Sequence, residues 1–177
     1  MRSVDLTLVG DVRLDSAAPQ EADLLANLMQ LYAHDLSGTF ALDLGVDGRF
    51  AYAHLPPYWS EPWRRFPFLI RCGTRVAGFV LATRGSPASP DPDDYDIAEF
   101  FVLRRHRRFG VGRRAALLLW KRLAGRWIVR VSEGNAGGRR FWSTVITGYT
   151  GGAVTETRRP GSPHAWHVYA FDTLRSP

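Results

Sequence analysis

The sequence predicts a single α/β domain built on one mixed sheet, and three observations carry that expectation. Its 177 residues are 45% hydrophobic and 23% charged, enough to bury one sizeable core. Strand-like and helix-like segments alternate in the order β α (loop) β β β α β α β β, the pattern of a mixed sheet with helices packed on it. No internal repeat and no linker divides the chain, so one domain over residues 1–177 is expected, and collagenous, mucin-like and disordered classes are excluded.

Residues 3–9 alternate as a first strand, and Pro19, Glu21 and Asp23 open a helix whose apolar face is Leu24, Leu25, Leu28, Leu31 and Tyr32. Leu36-Ser37-Gly38 closes it. From Thr39 to Pro62 no period is sustained. Prolines and glycines interrupt the aromatics Phe50, Tyr52, Tyr58 and Trp59, the composition of a long functional loop. Phe66–Cys72 and Arg75–Ala82 flank Gly73-Thr74 as a tight hairpin. After the polar turn of residues 85–94, Tyr95–Leu103 is the fourth strand and Arg104–Phe109 a charged loop. Gly110–Leu123 reads as a helix with the packing stripe Ala115, Leu118, Leu119 and Leu123. Trp127–Val131 is the fifth strand and Gly137–Ile146 a helix. Tyr149–Thr157 and Ala165–Phe171 are the terminal strands.

Charge is unevenly placed. Residues 104–140 hold twelve basic residues against the single acid Glu133, whereas the remainder is net acidic. One segment is built for an anion. Of the 23 basic residues only Lys121 is a lysine, a bias that weakens arguments from arginine count alone. The longest apolar run, Ala115–Trp120, is far short of the roughly 20 residues that cross a bilayer. With no secretory signal and a lone cysteine, Cys72, the chain reads as cytoplasmic.

The informative unit is the strand ending at Leu103, the basic loop, and then Phe109-Gly110-Val111-Gly112 opening a helix. Glycines admit a ligand close to the backbone, and a helix start offers unpaired N–H groups and positive potential. With Arg107, Arg108, Arg113 and Arg114 around it, the site suits a pyrophosphate. Gly110-x-Gly112 is also compatible with a simple turn into a basic helix, and the spacing alone does not choose. A dinucleotide fingerprint, Gly110-x-Gly112-x-x-Ala115 with Glu133 about twenty residues on, fits formally. Six loop residues between strand and glycines, and too little chain afterwards for a second half, count against it.

Arg107-x-x-Gly110-x-Gly112 after Glu99-Phe100-Phe101-Val102 resembles the coenzyme A pyrophosphate loop of the GCN5-related N-acetyltransferases (GNAT). The strand Trp127–Val131, followed by Glu133-Gly134-Asn135 and a helix carrying Phe141-Trp142, is similar to that family's next block. The resemblance is strong over residues 95–147. It implies a mostly antiparallel central sheet, flanked by helices and splayed between the fourth and fifth strands. Acetyl-CoA would then be the acetyl donor, its pantetheine arm pairing with the open edge at Phe101, Val102 and Leu103. The coenzyme residues it implies are these three with Arg107, Arg108, Phe109, Gly110, Val111, Gly112, Arg113, Arg114, Asn135, Arg139 and Trp142. Asn135 is equally readable as a helix cap.

The chemistry implied is direct attack of an unprotonated primary amine on a thioester, with a base for the amine and an acid for the thiolate. Glu99, set among apolar residues on the fourth strand, is the base candidate. A structural carboxylate paired with an arginine is the alternative, and both stand. The family's acid is a tyrosine seven residues after the asparagine; here that position is Trp142, which cannot serve. Tyr149 is the nearby substitute, or water suffices. Cys72 reads as a buried thiol rather than a nucleophile, and His164 with His167 lacks the companions of a metal site, so no metal is expected. The Thr39–Trp63 loop, with Asp43, Asp47, Glu61 and its aromatics, suggests a pocket for a small cationic acceptor, while a plain lid packed on the core explains the aromatics equally well. Two other classes remain open: an acyl-CoA-binding sensor without catalysis, and, less favoured because the charge is focused on one helix start, a basic module for nucleic acid.

Overall fold

The structure, a computed structural model, describes residues 11–173; the strand expected at residues 3–9 lies outside them. The strands are β1 (Val12–Ser16), β2 (Arg65–Cys72), β3 (Arg75–Arg84), β4 (Tyr95–Val102), β5 (Arg126–Ser132), β6 (Thr155–Arg159) and β7 (Trp166–Asp172). Between them run α1 (Ala22–Ser37), the single-turn α2 (Pro57–Ser60), α3 (Val111–Arg122) and α4 (Ala136–Thr150). All seven strands join one sheet in the order β1-β2-β3-β4-β5-β7-β6. Neighbours are antiparallel except β4 and β5, which are parallel and joined through α3. Among the described residues no helix is long and apolar enough to cross a membrane.

Each face of the sheet has its own core. On one, Val111, Ala115, Ala116, Leu119 and Trp120 of α3 and Trp142, Val145 and Ile146 of α4 pack against Ile70, Val80, Ile97 and Val129. On the other, Leu25, Leu28 and Met29 of α1 and Tyr58 of α2 cover Leu69, Phe79, Leu81 and Phe101. Each such side chain contributes roughly 1.5–3 kcal/mol by leaving water. The face expected for α1 is rotated: Leu24 and Leu31 are 36% and 51% exposed, because Met29, not Leu31, completes the stripe with Leu25 and Leu28. In α3, Val111, Ala116 and Trp120 widen the expected stripe, while Leu118 and Leu123 only border it. Tyr149 is not on a strand: α4 continues to Thr150 and β6 begins at Thr155. Its ring sits 4.8 Å from that of Trp120, and this packing extends the helix past the expected end at Ile146.

The feature that matters for function is where β4 and β5 part. They pair only at Tyr95–Trp127 and Asp96–Ile128, and beyond Asp96 the two arms diverge. The pairing of β4 with β3 shifts at the same place, between Leu81 opposite Glu99 and Ala82 opposite Ile97, leaving Ala98 as a bulge. A bulge bends its strand and re-aims the side chains after it. Tyr95 and Ile97 face α3 and α4, but Ala98 and Phe101 face α1. Glu99 joins them on the α1 side, where Tyr52 reaches it. Gly78 opposite Val102 holds β3 and β4 close here: a side chain there would collide with the Phe101 carbonyl.

Candidate active site

The fork between β4 and β5 opens into a cleft of about 1690 Å³, walled by the end of α1, the loop around α2, both strand arms and the starts of α3 and α4. Of the residues expected from sequence, Glu99, Phe101, Val102, Arg107, Arg108, Gly110, Val111, Gly112, Arg113, Asn135 and Trp142 all line it.

After one 3-10 turn at Arg104–His106, the chain enters α3 through left-handed backbone at Arg108 (φ 67°) and Gly110 (φ 76°). Glycine adopts that region freely, while Arg108 does so at roughly 1–3 kcal/mol. The turn leaves the amides of residues 108–113 without a protein acceptor among the described residues; Arg114 is the first to bond, to the Gly110 carbonyl at 2.9 Å. A run of free N–H groups at the positive end of a three-turn helix is a receptor for an anion. Gly112 serves differently: a Cβ there would sit 3.2 Å from the Phe141 ring, so its absence lets α3 approach α4.

Arg107 is committed within the protein. Its Nε donates to the Val102 carbonyl at 2.6 Å, its Nη2 to Asp35 at the end of α1, and its guanidinium lies 5.5 Å from the centre of Phe101. Arg104 donates to the same carboxylate at 2.8 and 3.0 Å. Burial raises the Asp35 pKa, but the hydrogen bonds from Arg107 and Arg104 outweigh it and hold the group below the ordinary carboxylate value. Arg107 therefore braces the loop, and Arg108 and Arg113, joined by Arg140 from α4, supply the cleft's charge at this end.

Other expected positions need correcting. Leu103 is turned away, its amide donating to the Ala77 carbonyl at 2.8 Å and its side chain packing on the α1 side. That bond fixes the alternation of β4: Leu103, Phe101 and Glu99 direct their backbone groups at β3, leaving Phe100 and Val102 to face the open edge. The edge available for strand addition is thus shifted by one residue from the one expected. Phe109 is 40% exposed and outside the cleft, as is Arg114 on the surface of α3. Arg139 points to His167, with 3.3 Å between Nη1 and Nε2. Tyr149, two turns beyond Trp142 and buttressed by Trp120, does not line the cleft. Trp142 is an apolar wall, edge-on to Phe100 (4.9 Å) and Phe141 (4.8 Å). Asn135 caps α4, its Oδ1 accepting from the Gly138 amide at 2.8 Å.

Glu99 is held on the opposite side of β4. Tyr52 donates to its Oε1 at 3.2 Å, and Tyr32 of α1 lies near enough to influence its charge. Burial pushes its pKa above the ordinary glutamate value; the two tyrosines and the charge of Arg130 pull the other way without cancelling it. Burial and the neighbouring Glu99 charge raise Tyr32 and Tyr52 in turn, so both are neutral donors. The acids expected in the aromatic loop do not join Glu99: Asp43, Asp47 and Glu61 are absent from the cleft wall, Asp47 accepting from the Arg49 amide (3.1 Å) and Glu61 from Arg65 (2.8 Å).

At the apex of the fork lies a group not anticipated. Asp96, fully buried, accepts from Arg130 Nε and Nη2 at 2.8 Å each and from the Ser86 hydroxyl. The signal was present in the sequence: Asp96 and Arg130 each stand between apolar neighbours within a strand, and buried opposite charges call for one another. Among the described residues no three His, Cys, Asp or Glu side chains converge to hold a metal ion.

Comparison with known proteins accords with this geometry. The fold matches an acetyltransferase from Thermus thermophilus (20% identity, TM-score 0.62, covering 91% of this chain and 97% of that one). It also matches the ribosomal-protein-S18-alanine N-acetyltransferase of Escherichia coli (14%, TM-score 0.62, 94% and 96%). A third match is yncA of Salmonella typhimurium, solved with its cofactor acetyl-CoA (13%, TM-score 0.63, 94% and 96%). A search of curated proteins finds no match. The acetyltransferase (GNAT) family model matches residues 27–144, two-thirds of the chain and the whole of the fork with both its arms, and the chain therefore belongs to that family.

Proposed function

We propose that this domain transfers an acetyl group from acetyl-CoA to a primary amine by direct attack. The observation that carries the reading is the placement, on one cleft, of the unpaired amides of residues 108–113 and of the buried carboxylate of Glu99. The amides, with Arg108, Arg113 and Arg140, fit a pyrophosphate. The open edge at Phe100 and Val102 fits the amide-bearing arm, and Phe101 and Trp142 wall its path. Acetyl-CoA bound there supplies an activated acyl group as a thioester. Glu99, its pKa raised by burial, takes a proton from the acceptor ammonium, the freed amine attacks the thioester carbonyl, and Tyr52 holds the carboxylate in place. No tyrosine stands at the Trp142 position, so the second nitrogen proton, shed as the tetrahedral intermediate collapses, passes through water to the leaving thiolate, which is of modest basicity.

Calorimetric titration with acetyl-CoA, followed by a thiol-release screen over amines, tests this. Saturable binding with thiol release from at least one amine class is expected. Absence of acetyl-CoA binding overturns the proposal. Tight binding with no release across the screen favours the sensor reading, which the tryptophan at position 142 keeps in view.

A further inference from the structure

We propose that the amine acceptor carries an anion, a carboxylate or a phosphate, within a few bonds of its reacting nitrogen, and that Arg130 receives it. The inference rests on the acetyl-transfer reading above and names the acceptor class for the same cleft.

Three observations carry it. First, Arg130 and Glu99 face each other across the fork. Trp127 and Val129 point to α3 and α4 while Ile128 packs with Ala88 and Val168 on the other face, so alternation places Arg130 on the Ile128 side. That is the face to which the bulge turns Glu99. Arg130 lies two residues beyond the last rung, Asp96–Ile128, and Glu99 three residues beyond it with one absorbed by the bulge. The two stand at nearly the same height on opposite arms.

Second, the Arg130 guanidinium is aimed but not exhausted. Asp96 takes Nε and Nη2, fixing the plane, whereas Nη1 has no protein acceptor among the described residues and the side chain, 24% exposed, lines the cleft beside the Trp166 ring at 5.9 Å. A guanidinium clamped on one edge and free on the other is a preorganised anion receptor.

Third, the surrounding donors have the same sign. Arg65 lies in register with Thr83 and Thr83 with Asp96, in a row crossing the sheet toward Arg130. Arg64 and Arg65 both line the cleft and share one carboxylate, Glu61, at 3.8 and 2.8 Å. Asp91, also on this wall, accepts from the Asp93 amide of its own turn at 2.9 Å. A polyamine would bring its second charge against these guanidinia; an amine with a nearby anion would place nitrogen at Glu99 and anion at Arg130.

The test measures kcat/KM by thiol release for matched acceptors: L-amino acids against their α-amides, O-phosphoethanolamine against ethanolamine, spermidine, and short peptides with blocked C-termini. The anionic member of at least one pair is expected to exceed its neutral partner at least tenfold, and the two pairs separate carboxylate from phosphate. Asp96→Asn combined with Arg130→Gln, which leaves no orphaned buried charge, should erase that ratio mainly through KM. Arg64→Gln, at an exposed position that does not threaten folding, should reduce it. Preference for spermidine, blocked peptides or neutral amides overturns the inference, as does an unchanged ratio in the folded double variant, while acetyl transfer itself survives. Should no panel member turn over, L-alanine against L-alaninamide and O-phosphoethanolamine against ethanolamine are titrated into coenzyme A-saturated protein. Binding of the anionic member alone in either pair supports the inference; equal binding within both pairs, or none, overturns it.

Discussion

The two ends of the cleft are built in different ways. At the α3 end the donors are backbone amides, and side chains such as Arg107 and Asp35 are spent on holding the loop in shape. At the other end the groups are side chains delivered by separate elements, Glu99 held by Tyr52 and Arg130 held by Asp96. A backbone site tolerates changes of side chain but not an added Cβ where φ is positive; a side-chain site tolerates shape and fails on chemistry. The carboxylates at the two ends also titrate in opposite directions, Asp35 held low by its arginines and Glu99 held high by burial.

The largest expected effect sharpens this contrast. Glu99→Gln should lower kcat by about 10²-fold or more, the range for a removed general base, while acetyl-CoA affinity stays at the wild-type value. Wild-type turnover in this variant would return Glu99 to a structural role. The same variant has a stability signature. Because burial raises the folded-state pKa of Glu99, its contribution is present below the ordinary carboxylate pKa and is lost as pH rises through the raised one. Glu99→Gln should therefore melt higher than wild type at neutral pH, with the advantage fading in acid. Asp35 has the opposite sign, contributing above its ordinary value and losing that contribution as pH falls, so Asp35→Asn should destabilise most at neutral pH.

A smaller effect is expected from Tyr52→Phe. Removing a donor to the ionised form raises the Glu99 pKa further, so the acid limb of the kcat profile should move to higher pH, with KM for acetyl-CoA unchanged. An acid limb that stays in place would separate Glu99 from the titration it reports. Smallest of all, Trp142→Phe should keep most turnover, since its role is an apolar wall, and Tyr149→Phe should leave turnover untouched, because its ring packs on Trp120 outside the cleft. Loss of turnover in a folded Tyr149→Phe variant would assign it the donor role.

The same contrast explains what can be read from the sequence. Gly110 and Gly112 announce a backbone geometry through local constraints, so the loop and the helix it opens are legible from six consecutive residues. The succession of strands and helices along the chain is legible too, because apolar runs and turn residues mark it, but that β7 rather than β6 pairs with β5 is not. The faces of individual residues are less so. Helical spacing puts Leu31 on the inner face of α1, yet it lies outside, because its neighbour Met29 fills the groove on β3. Composition puts Tyr149 on a strand because aromatic and β-branched residues suit either element, and tertiary packing on Trp120 decides. The bulge at Ala98 carries no residue signature, yet it alone turns Glu99 toward Tyr52 and moves the open edge of β4 to Phe100 and Val102. Asp96 and Arg130 are legible as an unexplained pair of charges in apolar strands, but their meeting depends on the strand pairing.

The central claim is that coenzyme A is held by the backbone of the α3 entry while catalysis is held by side chains across the fork. Titrating acetyl-CoA into Gly110→Val and into Glu99→Gln, each beside wild type, tests it most directly. Loss of a few charge-assisted hydrogen bonds at roughly 1.5–3 kcal/mol each should weaken binding to Gly110→Val at least tenfold, while Glu99→Gln binds as wild type does. Unchanged affinity in folded Gly110→Val, or lost affinity in Glu99→Gln, would contradict it.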